Sequence, residues 1–347
     1  VNVSQVLCAA GPVDAVTNQA LMCRALLRQW GWGGRDYAAV VAAGVDRRAI
    51  RPLQALKPAA DELLLLHYSG YARGLERLFD SRGRSLLISH NVTPSRYFWY
   101  SHPMVAVHCE LGRSQLAELG RAVRGLAGVS SYNAEELRTM TGRAAAVIPV
   151  LFDRARLPPP GGPPDGPPTI LFVGRLAPHK RQDLVVRAFA AFRRHQPDAR
   201  LVLVGTPQSP EYGEDLVRLA DELAPGAVVF ETGITPVRLW EHYRSAHVFL
   251  CLSEHEGFCI PLLEAFHFGV PVVARDAAAV GEVVSDAGVL LDADEGTTTV
   301  AELLRIVVSD QELRAELRAR GERRLAVFDY GRTAEKLHEQ LNHLIAA

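Results

Sequence analysis

The sequence predicts an α/β protein of two Rossmann-like domains, each a parallel sheet covered by helices on both faces. Three features carry that expectation. Short apolar runs alternate with amphipathic helical stretches through most of the chain. The runs are continuously apolar rather than alternating, as strands buried on both faces must be. At 347 residues the chain exceeds one ordinary core, and a segment dense in proline and glycine divides it.

In the first half, SQVLCAAG (4–11) reads as a strand and VTNQALMCRALLRQWG (16–31) as a helix closed by Gly31. DYAAVVAA (36–43), ELLLLHYS (62–69), SLLISHN (85–91), MVAVHCE (104–110) and AGVSSYN (127–133) each read as a strand or strand end, with helical stretches between several of them. PPPGGPPDGPP (158–168) holds seven prolines and three glycines, which suits neither helix nor central strand and reads as a semi-rigid linker. The second half is more regular. TILFVG, ARLVLVG, GAVVFETG, HVFLCLS and VPVVAR read as strands. Between them RQDLVVRAFAAFRRH, EDLVRLADELA, PVRLWEHYRSA and PLLEAFHF read as helices; in the first, Leu184, Val185, Ala188, Phe189 and Phe192 share one face. The end, 310–347, is Arg- and Glu-rich helix of the solvated packing kind. The expected domains are 1–157 and 169–325, with 158–168 between them and a terminal helix over 326–347.

Composition narrows the function. Hydrophobic residues make up 48% and charged residues 22%, the profile of a soluble globular protein. With 38 basic and 39 acidic residues the net charge is −1, so no nucleic-acid partner is expected. Five cysteines, an odd number without a CxxC, read as reduced thiols. Neither a signal-peptide pattern nor an apolar run of spanning length occurs, so a cytoplasmic protein is expected, with peripheral contact at the inner face of a membrane left open.

Ligands of open parallel sheets bind beyond the carboxyl ends of strands. One such end is FVGRLAPHKRQD, where Gly174 allows close backbone approach and Arg175 and Lys180 bring two cations to a helix start, with His179 and Arg181 beside them. This loop suits an anion such as a diphosphate. A second is SEHEGFCIPLLEA. Glu256 falls in the loop, Glu264 in the first turn of the next helix, and Gly257, Phe258, Cys259 and Ile260 lie between them, with backbone N–H groups expected to meet a phosphate or sugar. A carboxylate accepts two hydroxyl hydrogen bonds well, so two of them suit two diols. Equally, Glu264 can be a helix-start acid and Glu256 a solvated one. A third end, VARDAAAVGEVVSDAGVLLD with Gly281, lines the same crevice and names no chemistry.

The Gly-Arg-x5-Lys loop and Glu-x7-Glu pair, about eighty residues apart, resemble the carboxyl-terminal domain of glycosyltransferase family 4 over roughly residues 168–325. SLLISHNVTP resembles the strand ending in that family's active-site histidine, here His90, and HYSGY (His67 to Tyr71) resembles a subgroup acting in polysaccharide assembly. AAGPVDAVT departs from the usual Gly-Gly loop, offering Gly11, with Asp14 for sugar hydroxyls. The resemblance implies the GT-B fold, two Rossmann-like domains facing a cleft. It also implies retaining transfer of a hexose from GDP-mannose or a UDP-hexose to a glycan, lipid-linked saccharide or small-molecule hydroxyl. In that scheme Arg175 and Lys180 stabilise the diphosphate, Glu264 holds ribose, Glu256 meets the sugar, His90 orients it, and the base lies near Ile234. No cofactor or metal is expected, since the Asp292–Asp294 pair reads as a turn. Four successive aromatics, Tyr97 to Tyr100, cannot all face one core, so Tyr97 and Trp99 are expected to border the acceptor site. A nucleotide-sugar epimerase or hydrolase, and a non-catalytic sugar-nucleotide binder, stay open as alternatives. A dehydrogenase is disfavoured because no GxGxxG follows the first strand.

Overall fold

The computed structural model describes residues 1–78, 83–162 and 164–346. The chain divides into two compact units, Val1–Leu151 with Phe328–Ala347, and Phe152–Val327.

The first unit contains β1 (Val3–Ala10), α1 (Ala15–Gln29), β2 (Asp36–Val41), β3 (Ile50–Pro52), β4 (Leu63–Tyr68), β5 (Ser85–Ser89), α2 (Pro103–Ala122), β6 (Gly125–Gly128), α3 (Ser131–Thr141) and β7 (Ala146–Val147). The strands form one parallel sheet in the order β3-β2-β1-β4-β5-β6-β7. Continuous apolar strands such as Leu63–Leu66 are buried on both faces, as their composition requires. One expectation fails here. MVAVHCE is the opening of helix α2, not a strand. Pro103 sits in its first turn, and Ala106, Gln115, Leu116 and Leu119 bury one face at helical spacing that the seven-residue window is too short to reveal. In AGVSSYN the strand stops at Gly128, and Ser130 caps α3 by accepting from Asn133 N at 3.2 Å.

The second unit contains β8 (Thr169–Val173), α4 (Gln182–Arg193), β9 (Arg200–Val204), α5 (Pro210–Leu223), β10 (Val228–Glu231), α6 (Pro236–Ser245), β11 (Val248–Cys251), α7 (Ile260–His267), β12 (Val272–Arg275), α8 (Val280–Val284), β13 (Val289–Leu291), α9 (Thr297–Ser309) and α10 (Gln311–Leu325). Its parallel sheet runs β10-β9-β8-β11-β12-β13. The predicted face of α4 is the buried one: Val185, Ala188, Phe189 and Phe192 enter the core and Leu184 packs at its edge. Asp292 and Asp294 occupy an exposed turn after β13.

In each sheet the strand order reverses beside the first strand, between β1 and β4 and between β8 and β11. Such switch points are where doubly wound sheets place ligands. The division after Leu151 falls ahead of the proline-rich segment expected as the linker. That segment belongs to the second unit, where Arg244 Nη2 donates to Pro159 O at 2.6 Å and His267 Nε2 lies 2.8 Å from Pro158 O. Side chains of the second unit claim its carbonyls, and Pro163 lies outside the described residues. The final helix α11 (Tyr330–Ala346) returns to the first unit, burying Thr333, Ala334, Leu337, Leu341 and Leu344.

Candidate functional site

In the second unit the loops after β8 and β11 emerge side by side, because these strands are paired at the switch point. Gly174 has φ +150° and Gly205 +156°, and a Cβ on Gly205 would stand 1.9 Å from Gly174 O. Only glycine permits this approach. Arg175 is exposed, and its Nη1 donates to Gln208 Oε1 at 3.2 Å. Gln182 braces the loop, donating to Arg175 O at 3.0 Å and accepting from Ala177 N at 3.2 Å.

Lys180 Nζ lies 2.5 Å from Glu256 Oε1, with the two side chains 15% and 10% exposed. Ser253 Oγ donates to the same oxygen at 2.9 Å. Burial works against the Lys180 charge, but the Glu256 carboxylate outweighs it through its charge and its hydrogen bond, so its pKa lies above the ordinary lysine value. The neighbouring groups expected to assist are otherwise engaged. Arg181 pairs with Asp183 at 3.0 Å and with Glu254, which Arg275 also reaches at 3.5 Å. Burial, with Lys180 adding to it, pushes His179 down to about 2, so its ring is neutral at physiological pH.

Glu264 is the fifth residue of α7, one residue deeper than a helix starting at Pro261 would place it, since the helix opens at Ile260. Its Oε2 accepts from Tyr243 OH at 2.7 Å. Burial raises the Glu264 pKa and the Tyr243 bond opposes that rise. Between the two glutamates the Phe258 side chain enters the core, Gly257 and Ile260 are half-buried, and Cys259 caps α7 with φ +75°. A side chain in that left-handed conformation costs roughly 1 kcal/mol relative to glycine. Ile234 is half-buried in the turn after β10, beside exposed Thr232, Gly233 and Thr235. Among the described residues, one group has metal-ligand geometry: Cys251, Glu256 and Cys259 offer atoms within 4.8 Å of one another.

In the first unit His90 follows β5, half-buried, with Nε2 3.0 Å from His67 Nδ1. Burial holds its pKa down at about 4. Asp14 is the N-cap of α1, its Oδ2 accepting from Thr17 N and Oγ1 at 2.7 Å, and Gly11 N donates to Thr17 Oγ1 at 3.1 Å. The aromatic run divides as its density requires. Phe98 is buried, Tyr97 is half-buried beneath the Arg96 guanidinium, and Trp99 and Tyr100 are exposed. The sequence reading missed Tyr243, Ser253 and Gln182. Each lies outside the spacing motifs and acts by bracing a residue within one.

These paired sheets and strand-end loops define a GT-B protein with its charged site on the second unit. The family of group 1 glycosyl transferases matches residues 153–324, and through this half the chain belongs to it. The chain is 34% identical over 212 residues to a D-inositol 3-phosphate glycosyltransferase of Kineococcus radiotolerans, covering 56% of this chain and 46% of that protein. It is 32% identical over 221 residues to a GDP-mannose-dependent alpha-(1-6)-phosphatidylinositol monomannoside mannosyltransferase of Mycolicibacterium smegmatis, covering 56% of each. The chain thus spans about half the length of these curated relatives. Among solved structures, HepE of Anabaena in complex with UDP and glucose superposes with a TM-score of 0.77 at 16% identity, over 98% of this chain and 99% of that one. WaaG, a glycosyltransferase involved in lipopolysaccharide biosynthesis, superposes with a TM-score of 0.72 at 15% identity, over 96% and 98%. Among the described residues no helix is long and apolar enough to cross a membrane.

Proposed function

We propose that this chain is a retaining glycosyltransferase that moves a hexose from a nucleotide-diphosphate sugar, GDP-mannose or a UDP-hexose, to the hydroxyl of a glycan, lipid-linked saccharide or small molecule. The observation that carries the reading is the buried Lys180–Glu256 pair at the β8/β11 switch point, with exposed Arg175 on the same loop as Lys180. The ammonium has three protons, so it can keep Glu256 and still meet a phosphate oxygen. Arg175 and Lys180 neutralise the charge that grows on the diphosphate as the anomeric C–O bond breaks. The new bond forms to the acceptor oxygen on the same face, and the acceptor proton passes to the departing phosphate. Glu256 accepts from donor-sugar hydroxyls and Glu264 from the ribose. Backbone groups of 257–260 contact phosphate or sugar, Gly174, whose N–H donates to Val204 O at 2.9 Å, keeps the approach free of a side chain, and the base rests against 232–235, around Ile234. On the first unit His90 orients the sugar, Gly11 and Asp14 approach the donor, and Tyr97 and Trp99 border the acceptor.

The two cations stand in for a divalent metal, so transfer is metal-independent and needs no cofactor. The protein works in the cytoplasm, with peripheral contact at the inner membrane face where the acceptor is lipid-linked. Calorimetric titration with UDP and GDP, followed by product detection with the matching sugars, tests the reading. Arg175→Ala should lower turnover by about a hundredfold, the loss of roughly 3 kcal/mol of charge stabilisation. Near-normal turnover in that variant, or transfer abolished by EDTA and restored by Mg²⁺, would overturn it.

A further inference from the structure

A buried polar chain crosses four adjacent strands of the first sheet and ends at His90. His90 Nε2 lies 3.0 Å from His67 Nδ1 on β4, and His67 Nε2 lies 2.8 Å from Gln5 Oε1 on β1. Gln5 Nε2 donates at 2.9 Å both to Ala20 O and to Asp36 Oδ1 at the start of β2. Arg24, from α1, closes the chain with Nε 3.0 Å and Nη2 2.6 Å from Asp36 Oδ1, and Nη2 also donates to Val3 O at 2.8 Å. His67 is 1% exposed, Gln5 0%, Asp36 4% and Arg24 5%. Four polar side chains stand where apolar ones would pack, so the fold sacrifices core there for a fully bonded network.

The chain has a direction, and chemistry sets it. The amide nitrogen of Gln5 faces two oxygen acceptors, so a flipped amide would set oxygen against oxygen. Its Oε1 therefore faces His67 and requires a donor there. His67 must carry its proton on Nε2. Burial above all, with the Arg24 charge adding to it, pushes the His67 pKa well below 6.5, so the ring is neutral and Nδ1 is a bare lone pair. That lone pair requires a donor in turn, which only a protonated His90 Nε2 supplies. The neutral His90 ring is left with Nδ1 unprotonated.

We propose that His67, held by Gln5, is a positioning residue that locks His90 in the Nε2–H tautomer, so that His90 can serve a substrate hydroxyl only as an acceptor through Nδ1. The catalytic part rests on the reading that His90 meets the donor sugar; the tautomer does not. A sugar hydroxyl would donate to Nδ1, and the ring could not donate to a ring oxygen or a carbonyl. The network would thus select the class of group that His90 recognises, not merely its place.

The test is a long-range ¹H–¹⁵N correlation spectrum of the full chain with labelled histidine, between pH 6 and 8. His90 should show a protonated Nε2 and a bare Nδ1. His67→Phe keeps ring volume and offers neither bond, so His90 should become a mixture of tautomers. In that variant kcat should fall about tenfold, with donor KM within about twofold. His67→Gln can accept from His90 and donate to Gln5, so it should restore both the spectrum and most of the rate. If His67→Phe fails to fold, Gln5→Leu, which frees the His67 tautomer, replaces it. A wild-type His90 protonated on Nδ1, or a His90 spectrum unchanged in His67→Phe or Gln5→Leu, would overturn the proposal. Failure of the transferase reading looks different: the expected tautomer, with no sugar transferred from any nucleotide donor.

Discussion

Replacing Lys180 by methionine keeps most of the unbranched apolar stem and removes the charge beside Glu256. The carboxylate then retains Ser253 Oγ at 2.9 Å on the same oxygen but no cation within 4 Å that the described contacts provide. With the two side chains 15% and 10% exposed, water replaces little of what is lost. Stranding one partner of a pair at this depth costs about 3 kcal/mol. For a unit of this size that is a fall in Tm of roughly 9 °C, at about 3 °C per kcal/mol. Glu256→Gln alone strands the ammonium and should cost a similar amount. The double variant leaves two neutral groups, and the glutamine that replaces Glu256 can keep Ser253 as a donor. It should therefore be more stable than either single variant, a coupling of about 2 kcal/mol or more. Calorimetric melts of the four proteins complete the cycle. Additive losses, or a Lys180→Met cost below about 1 kcal/mol, would show that the pair is not coupled as the geometry requires. The two groups would then be poorly placed to share a diphosphate sugar between them.

Tyr243→Phe deletes the hydroxyl that fixes Glu264 and keeps the ring stacked on Phe268, so nucleoside-diphosphate Kd should rise about tenfold by calorimetry, the cost of one charge-assisted bond. Unchanged affinity would remove Glu264 from the ribose contact. Acid should weaken the fold through the two histidines: burial holds the folded pKa of His90 at about 4 and that of His67 well below 6.5, so the unfolded chain binds protons that the native chain refuses. Their contribution is whole above about pH 7 and is lost as pH falls from 6.5 towards 4; melts at pH 7.5, 6 and 5 should show the decline, and His67→Phe should flatten it. Trp99 is 46% exposed, so Trp99→Ala should leave the melt unchanged and raise acceptor KM several-fold more than donor KM. Equal effects on both would return the segment to a packing role.

The α/β class, the run of parallel strands in the second half, and the helix face of Val185, Ala188, Phe189 and Phe192 were legible in the sequence. Burial on both faces leaves a continuous apolar run, and burial on one stripe leaves a period near 3.6. The loops holding Arg175, Lys180 and Glu256, and the helix carrying Glu264 after the second of them, were legible for a related reason: each loop follows a strand end that composition marks and carries a glycine. MVAVHCE was misread because a largely apolar run of seven residues fits a helix or a strand equally, and only the buried face reaching on to Leu119 decides. The passage between units was misplaced because proline content reports backbone stiffness, not which side chains bond the segment's carbonyls. Sequence by itself determined which residues are charged, how far apart they lie and which strands carry them. Tertiary structure alone decided that Lys180 and Glu256 share one oxygen contact, that Tyr243 holds Glu264, and that Gln5 governs His90 through His67. Those relations join residues 76, 21 and 85 positions apart or span three strands at once. Strand order at the switch points sets their neighbours, and no local periodicity encodes that order.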